Sequence, residues 1–65
     1  MKNNIEKLRK EMGLTQQALG EKLEVSRQTI ISLESGKYNP SLILAYNLSV
    51  VFNCTIEDIF DFKGE

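Results

Sequence analysis

Two adjacent polar side chains, Arg27 and Gln28, lie within the stretch LEVSRQTI, where apolar residues flank them on both sides. The paired donors of arginine match O6 and N7 of guanine, and the amide of glutamine matches N6 and N7 of adenine in the major groove of DNA. These two residues are therefore candidates for reading base edges. The alternative is that they only solvate the exposed face of a surface helix.

A helical wheel at 100° per residue separates the faces of this segment. Ile30 and Leu33 lie on one side, with Thr29 beside them. The outward face then carries Arg27, Gln28, Ile31 and Ser32.

Capping signals delimit the helices that would position these side chains. Ser26 is a predicted N-cap, with Val25 and Ile30 in the hydrophobic-staple positions. Thr15 is the N-cap of the preceding helix, which runs to Leu23. Because only two residues separate Leu23 from the Ser26 cap, the two helices must cross at a steep angle.

The remaining signals predict three more helices. Helix one follows an Asn3–Glu6 capping box and ends at Gly13, helix four begins at Pro40 and Ser41, and helix five runs from a Thr55–Asp58 cap to Phe60. The apolar face of helix one is formed by Ile5, Leu8 and Met12. The fold class is therefore all-α, a compact five-helix bundle in which helices two and three form a helix-turn-helix. The alternating tail FDFKGE is a candidate for a short β-pairing with Met1 to Asn3.

Composition restricts the function further. The 65 residues form one domain, 1–65, with one cysteine and no histidine, which predicts no disulfide, no metal site and no cofactor. The net charge is -1, but residues 1–56 carry seven Lys/Arg and five Asp/Glu, a net of +2 (7 − 5), which permits nucleic-acid binding. There is no membrane-spanning run or secretory signal, so we expect a cytoplasmic protein with no membrane partner.

An enzyme is not expected, because no nucleophile has a general base beside it in the sequence. Cys54 precedes a predicted helix N-terminus, where a thiol pKa can be lowered, and a redox role is one interpretation. The alternative, which we favour, is a small apolar filler between helices four and five.

The combination VSRQTI and LESGKYNPS resembles the phage-repressor type of helix-turn-helix transcriptional regulators, in particular their small single-domain, cytolysin-repressor-like members. The resemblance covers Ile5 to Phe60. It implies a five-helix bundle that binds operator DNA as a homodimer, with helix three as the recognition helix in the major groove.

The resemblance also implies roles for individual residues. The base-reading positions are Arg27, Gln28, Ser32 and Thr29, and the DNA-backbone positions are Gln16, Lys37 and Ser26. Gln16 additionally buttresses the recognition helix in relatives. Arg9 and Glu34 match a pair that forms an internal salt bridge between helices one and three, and we interpret this pair as structural.

Three residues depart from the family pattern. Glu24 stands where a glycine with positive φ is usual, at a cost of about 1 kcal/mol. Gly20 replaces an alanine where helix two packs on helix three, which weakens the helix by about 0.5–1 kcal/mol. Ile31 is apolar on the outward face, where it either contacts a thymine methyl group or is buried against a neighbouring loop.

The segment from Leu42 to Cys54 contains no charged residue, which is unusual for a surface helix of a small domain. A helix buried on all sides is the alternative, but a 65-residue chain has little material to surround it. We therefore expect a symmetric dimer interface built from Ile43, Tyr46, Val50, Ile56, Ile59, Phe60 and Phe62.

The sequence thus predicts a sequence-specific DNA-binding regulator, expected to be a repressor, whose partners are double-stranded operator DNA and a second copy of itself. No small-molecule ligand is indicated. The competing hypothesis is an antitoxin-like or other protein-interaction module that docks a partner through the apolar surface of helices four and five.

Overall fold

The computed structural model describes residues 1–63, so the last two residues of the tail FDFKGE, Gly64 and Glu65, lie outside the described residues. The chain forms five helices in the predicted order, which confirms the all-α helix-turn-helix bundle. They are α1 (Ile5–Glu11), α2 (Gln16–Leu23), α3 (Arg27–Glu34), α4 (Leu42–Phe52) and α5 (Ile56–Ile59). None of the helices within residues 1–63 is long and apolar enough to cross a membrane.

Hydroxyl side chains start four of the five helices. Thr15, Ser26, Ser41 and Thr55 each accept a hydrogen bond from the backbone N–H three residues further along the chain. At Thr55 the carboxylate of Asp58 accepts a bond from the Thr55 N–H in return, which completes a capping box. The predicted caps at Thr15, Ser26 and Thr55 are confirmed, since the hydroxyls satisfy N–H groups that have no partner within the helix. Helix four, predicted to begin at Pro40 and Ser41, begins at Leu42, and Ser41 is its cap.

The predicted Asn3–Glu6 capping box is wrong. Asn4 is the N-cap of α1, and its side chain makes no cap hydrogen bond. Instead, Oδ1 of Asn3 accepts from the N–H of Ile5 at 3.1 Å, and Nδ2 donates to the carbonyl of Leu33 at 2.8 Å. The amide of Asn3 therefore ties the start of α1 to the last turn of α3, a long-range partner that local spacing does not reveal.

A short antiparallel contact joins the two ends of the described chain. Asn3 and Phe60 form an isolated β-bridge, and the N–H of Asn4 donates to the carbonyl of Ile59 at 2.7 Å. The N–H of Asp61 donates to the carbonyl of Lys2 at 2.9 Å. The predicted pairing of the tail with Met1 to Asn3 is thus present as a single bridge.

The turn between α2 and α3 depends on two unusual backbone positions. Glu24 caps α2 in the left-handed conformation, with φ 59° and ψ 40°, as the family pattern predicts for this position. At Gly20, a Cβ atom would lie 2.8 Å from the carbonyl oxygen of Val25, closer than real Cβ contacts come. Glycine therefore lets the turn pack against α2 at a distance that alanine does not allow in this chain.

The core lies where the five helices meet, and two predicted surface residues belong to it. Ile59 and Phe60 are 0% and 4% exposed, so they have almost no surface to offer to a second copy, and their assignment to a dimer interface does not hold. Met12, placed on the apolar face of helix one, is 48% exposed because α1 ends at Glu11. The buried apolar residues are Ile5, Leu19, Leu23, Ile30, Leu33, Leu44, Ala45, Leu48, Ile59 and Phe60.

Candidate nucleic-acid interface

The first turn of α3 carries two exposed polar side chains, and the opposite face of the helix is buried. Ile30 and Leu33 are fully buried and hold one face of the helix in the core. Arg27 and Gln28 are exposed on the other face, and Ser32 is half-buried one turn further along. The structure therefore brings the main predicted base-reading residues together on one solvent-facing surface.

Two hydroxyls at the start of α3 are engaged with each other. The Oγ of Ser26 accepts from the N–H of Thr29 at 3.1 Å and lies 3.0 Å from the Oγ1 of Thr29. Thr29 is half-buried. Ser26 and Thr29, both predicted to contact DNA, therefore also hold the start of α3. Their hydrogen bonds stiffen the backbone that carries Arg27 and Gln28.

A buried ion pair joins α1 to the C-terminal end of α3. Arg9 of α1 donates from Nε to Oε2 of Glu34 at 2.7 Å, and from Nη1 to the carbonyl of Leu14 at 2.9 Å. Its hydrogen bond with the Glu34 carboxylate raises the pKa of Arg9 above its ordinary value, against the opposing effect of burial. The structural pair implied by the resemblance is therefore present, and it connects α1 to the end of α3.

Gln16 joins the same network from the start of α2. Its Nε2 donates to Oε1 of Glu34 at 3.1 Å, and the residue is half-buried. The buttressing contact implied for Gln16 is thus present in the structure. An amide nitrogen has two donors, and the bond to Glu34 uses one of them.

Ile31 is half-buried rather than fully exposed on the outward face of α3. Burial of part of its side chain agrees with the interpretation that it packs on neighbouring residues.

The loop after α3 adds a residue that the sequence interpretation missed. Lys37 and Tyr38 are both exposed, and Tyr38 borders a recess of about 170 Å³ on the outer surface of α3. The recess is lined by Ser26, Gln28, Thr29, Ser32 and Tyr38. The only sequence signal for Tyr38 is that it directly follows Lys37, a predicted contact to the DNA backbone. Because the path of a loop does not follow from the sequence, this signal does not predict where Tyr38 lies.

An apolar surface stripe runs along α4. Ile43, Tyr46 and Val50, which define this α4 stripe, are 73%, 61% and 59% exposed. Leu42, which the sequence interpretation did not include, is even more exposed, and Phe62 is also exposed. Ile56 is half-buried and packs against the core. An apolar stripe of this kind marks an interaction surface more often than an inert one.

Cys54 packs as a partly buried residue against the core. Burial raises the pKa of its thiol above the ordinary value, and the nearby carboxylate of Asp58 raises it further. The thiolate is therefore disfavoured at this position, as the filler interpretation requires.

A short turn joins α2 to α3, one face of α3 is buried in the core, and its first turn exposes polar side chains. This is the arrangement of a helix-turn-helix. The model of the helix-turn-helix family matches residues 5–59 of the chain. The chain belongs to the helix-turn-helix family. The resemblance to regulators of the phage-repressor type is thereby confirmed over nearly the whole length of the chain.

Relatives of this helix-turn-helix protein occur in archaea and bacteria. A protein of Archaeoglobus fulgidus named an uncharacterized HTH-type transcriptional regulator is 51% identical over 65 residues, which cover 100% of this chain and 93% of the relative. A relative of the same description in Methanocaldococcus jannaschii is 49% identical, with coverage of 100% and 98%. In Bacillus subtilis, the HTH-type regulator YgzD is 43% identical, again with coverage of 100% and 98%.

Proposed function

We propose that this helix-turn-helix protein is a transcriptional repressor that binds operator DNA in a sequence-specific manner as a homodimer. The observation that carries the proposal is the exposure of Arg27 and Gln28 on a helix whose opposite face is fixed in the core by Ile30 and Leu33. A guanidinium and a carboxamide held on a rigid helix are the two groups best suited to bidentate contacts with guanine and adenine.

The dimensions of α3 fit the major groove. An α-helix with its side chains is about 10–12 Å in diameter, and the major groove is about 12 Å wide. Arg27 and Gln28 occupy the first turn, the part of a recognition helix that contacts base edges in this class of motif. Lys37 in the following loop and Gln16 at the start of α2 flank α3, where phosphate contacts fix the docking orientation.

The second copy is proposed to bind at the α4 stripe. Helix α4, LILAYNLSVVF, contains no charged residue, although Ile43, Tyr46 and Val50 are mostly exposed in the single chain. A C2 dimer uses the same patch on both subunits, and an uncharged apolar stripe meets its own copy without like-charge repulsion. Phe62 is a further exposed apolar residue, whereas Ile59 and Phe60 are buried.

The DNA-binding part of the proposal is tested with sites selected from a randomised duplex library. Gln28→Ala is expected to lose about 1–3 kcal/mol of binding free energy on the best site and to relax the preference at one base pair per half-site. Lys37→Ala is the contrasting variant, since a lost phosphate contact weakens all sequences alike and lowers the salt slope by about 1. Uniform weakening by Gln28→Ala would assign Gln28 to the backbone instead.

The dimer is tested by sedimentation equilibrium. The unmodified protein is expected to be dimeric at micromolar concentration, and Tyr46→Glu to be monomeric because it places a charge on both sides of the interface. Met12→Glu is the control, since Met12 is an exposed apolar residue outside α4. A monomeric unmodified protein would refute the dimer and leave the α4 stripe as a site for a different protein.

A further inference from the structure

The amide side chain of Asn3 makes contacts at both of its ends. Its Oδ1 accepts from the N–H of Ile5 at 3.1 Å, while its Nδ2 donates to the carbonyl of Leu33 at 2.8 Å and to the carbonyl of Met1 at 3.1 Å. Both donors of the amide nitrogen are therefore in use. One of them reaches the last turn of α3, 30 residues away in the sequence.

The backbone on either side of Asn3 is bound to the other end of the described chain. The N–H of Asn4 donates to the carbonyl of Ile59 at 2.7 Å, and the N–H of Asp61 donates to the carbonyl of Lys2 at 2.9 Å. Since Ile59 is fully buried, this attachment reaches the core. The side chain of Asn3 therefore connects α3 to a backbone segment that is itself fixed.

The last turn of α3 is thus held at two separate points. The carboxylate of Glu34 accepts hydrogen bonds from Arg9 and Gln16, and the carbonyl of Leu33 accepts one from Asn3. Two points on different sides of a helix restrict its tilt, whereas one point leaves it free to pivot.

A small tilt at this end of α3 matters at the other end. Arg27 and Glu34 are separated by about 10 Å along the axis at about 1.5 Å per residue, so a tilt of about 5° moves the first turn by about 1 Å. Hydrogen bonds between nitrogen and oxygen tolerate only about 0.5 Å in length. Such a tilt would therefore misalign Arg27 and Gln28 with base edges.

We propose that Asn3 is a positioning residue for DNA recognition, whose bond to the carbonyl of Leu33 sets the orientation of α3. The inference rests on the proposed function, because it requires Arg27 and Gln28 to bind bases. It assigns a role in sequence specificity to a residue of the N-terminal segment, outside the helix-turn-helix.

Asn3→Ser is the variant that tests this role. A serine hydroxyl forms the same local bond to the N–H two residues further along the chain, but it is too short to reach Leu33. The carbonyl of Leu33 keeps its bond from the N–H of Gly36 at 3.1 Å, so the fold is retained. Asn4→Ser is the matched control, because the exposed amide of Asn4 donates to the carbonyl of Asp58 and makes no bond to α3.

The readout is the ratio of two dissociation constants. One duplex is the best site selected from a randomised library, and the other differs from it at the base pair that Gln28→Ala identifies. In Asn3→Ser the ratio is expected to fall about fivefold, the effect of one lost hydrogen bond, with an unchanged salt slope, since phosphate contacts are not removed. Circular dichroism verifies that both variants are folded, and Asn4→Ser should keep the ratio of the unmodified protein.

Three results would overturn the inference: an unchanged ratio in Asn3→Ser, an equal fall in Asn4→Ser, or a loss of affinity that is the same for both duplexes. If Asn3→Ser does not fold, Asn3→Asp takes its place, because it keeps the shape and the bond to Ile5 but has no donor for Leu33.

Backbone amide resonances of α3 in the absence of DNA provide a second readout. Asn3→Ser is expected to shift the resonances of Arg27 and Gln28, and shifts confined to the neighbours of Asn3 would contradict a change in orientation. Failure of the unmodified protein to select any duplex would overturn the proposed function and the role in recognition. Shifted resonances would still show that Asn3 orients α3.

Discussion

Glu34, the last residue of α3, accepts two hydrogen bonds from Arg9 of α1, with Nε 2.7 Å from Oε2 and Nη2 3.4 Å from Oε1. Their side chains are only 6% and 9% exposed, although 25 residues separate them in the sequence. Helix α3 is therefore held at its C-terminal end by charge-assisted hydrogen bonds and along its inner face by apolar packing. The proposed contacts of Arg27 and Gln28 with base edges require this anchoring, because small displacements of the two side chains would misalign those bonds.

Removing one partner of this pair should strongly destabilise the fold. We expect Glu34→Ala to lower the free energy of unfolding by about 3–5 kcal/mol, because the buried Arg9 charge would keep only the exposed carboxylate of Glu6, whose Oε2 lies 3.9 Å from Nη2, as a counter-ion. Urea unfolding followed by circular dichroism measures the change. The matched control is the double variant Arg9→Met with Glu34→Leu, which removes both charges and should recover most of the loss. A loss below 1 kcal/mol in Glu34→Ala would contradict a buried role for the pair.

The left-handed residue at the end of α2 offers a stabilising substitution. Glu24→Gly should raise the free energy of unfolding by about 1 kcal/mol, because glycine adopts a φ of 59° without the penalty of a side chain. Asn53, at φ 53° after α4, is the matched control. Since asparagine tolerates this conformation better than most residues, Asn53→Gly should gain less. Equal gains at both sites would show that the strain is not specific to Glu24.

Gly20→Ala tests the close approach between α2 and the turn. In most helices this substitution is stabilising by about 0.5–1 kcal/mol. Here the added Cβ would lie 2.8 Å from a backbone carbonyl oxygen that cannot move aside as a side chain does. We therefore expect a destabilisation of about 1–3 kcal/mol in urea unfolding. Stabilisation by Gly20→Ala would show that the turn relaxes easily and that the close contact carries no constraint.

Cys54 should react slowly with iodoacetamide. Burial and the nearby Asp58 raise its thiol pKa, so less thiolate is present at pH 8 in the folded protein than in the unfolded chain. The same shift makes the thiol contribute to stability below its unfolded pKa, and this contribution is lost as the pH rises toward the folded pKa. Alkylation rates at pH 8, with and without denaturant, measure the difference. Fast and selective labelling of the folded protein would restore the redox interpretation.

Local chemistry explains which parts of the fold could be predicted from the sequence. The caps at Thr15, Ser26 and Thr55 follow from hydroxyl side chains placed just before apolar periodic segments, and all three are present. The left-handed Glu24 was predicted only through the family pattern, because glutamate itself gives no signal for positive φ.

The errors share a different cause, which is dependence on distant parts of the chain. Asn3 and Glu6 have capping-box spacing, but the carbonyl of Leu33 offers Asn3 another partner. A helix of four residues is too short for its periodicity to separate buried from exposed faces, so Ile59 was assigned to the wrong side. Tyr38 was missed because a loop has no period from which its position follows.

The central claim is that two copies of this protein read two half-sites through their recognition helices. The most direct measurement is a footprint on the DNA upstream of the gene for this protein, repeated over a salt series. We expect two protected patches about 34 Å apart, one helical turn, with affinity that falls steeply as salt increases. A single patch would contradict the dimer, and absence of protection even at low salt would contradict DNA binding.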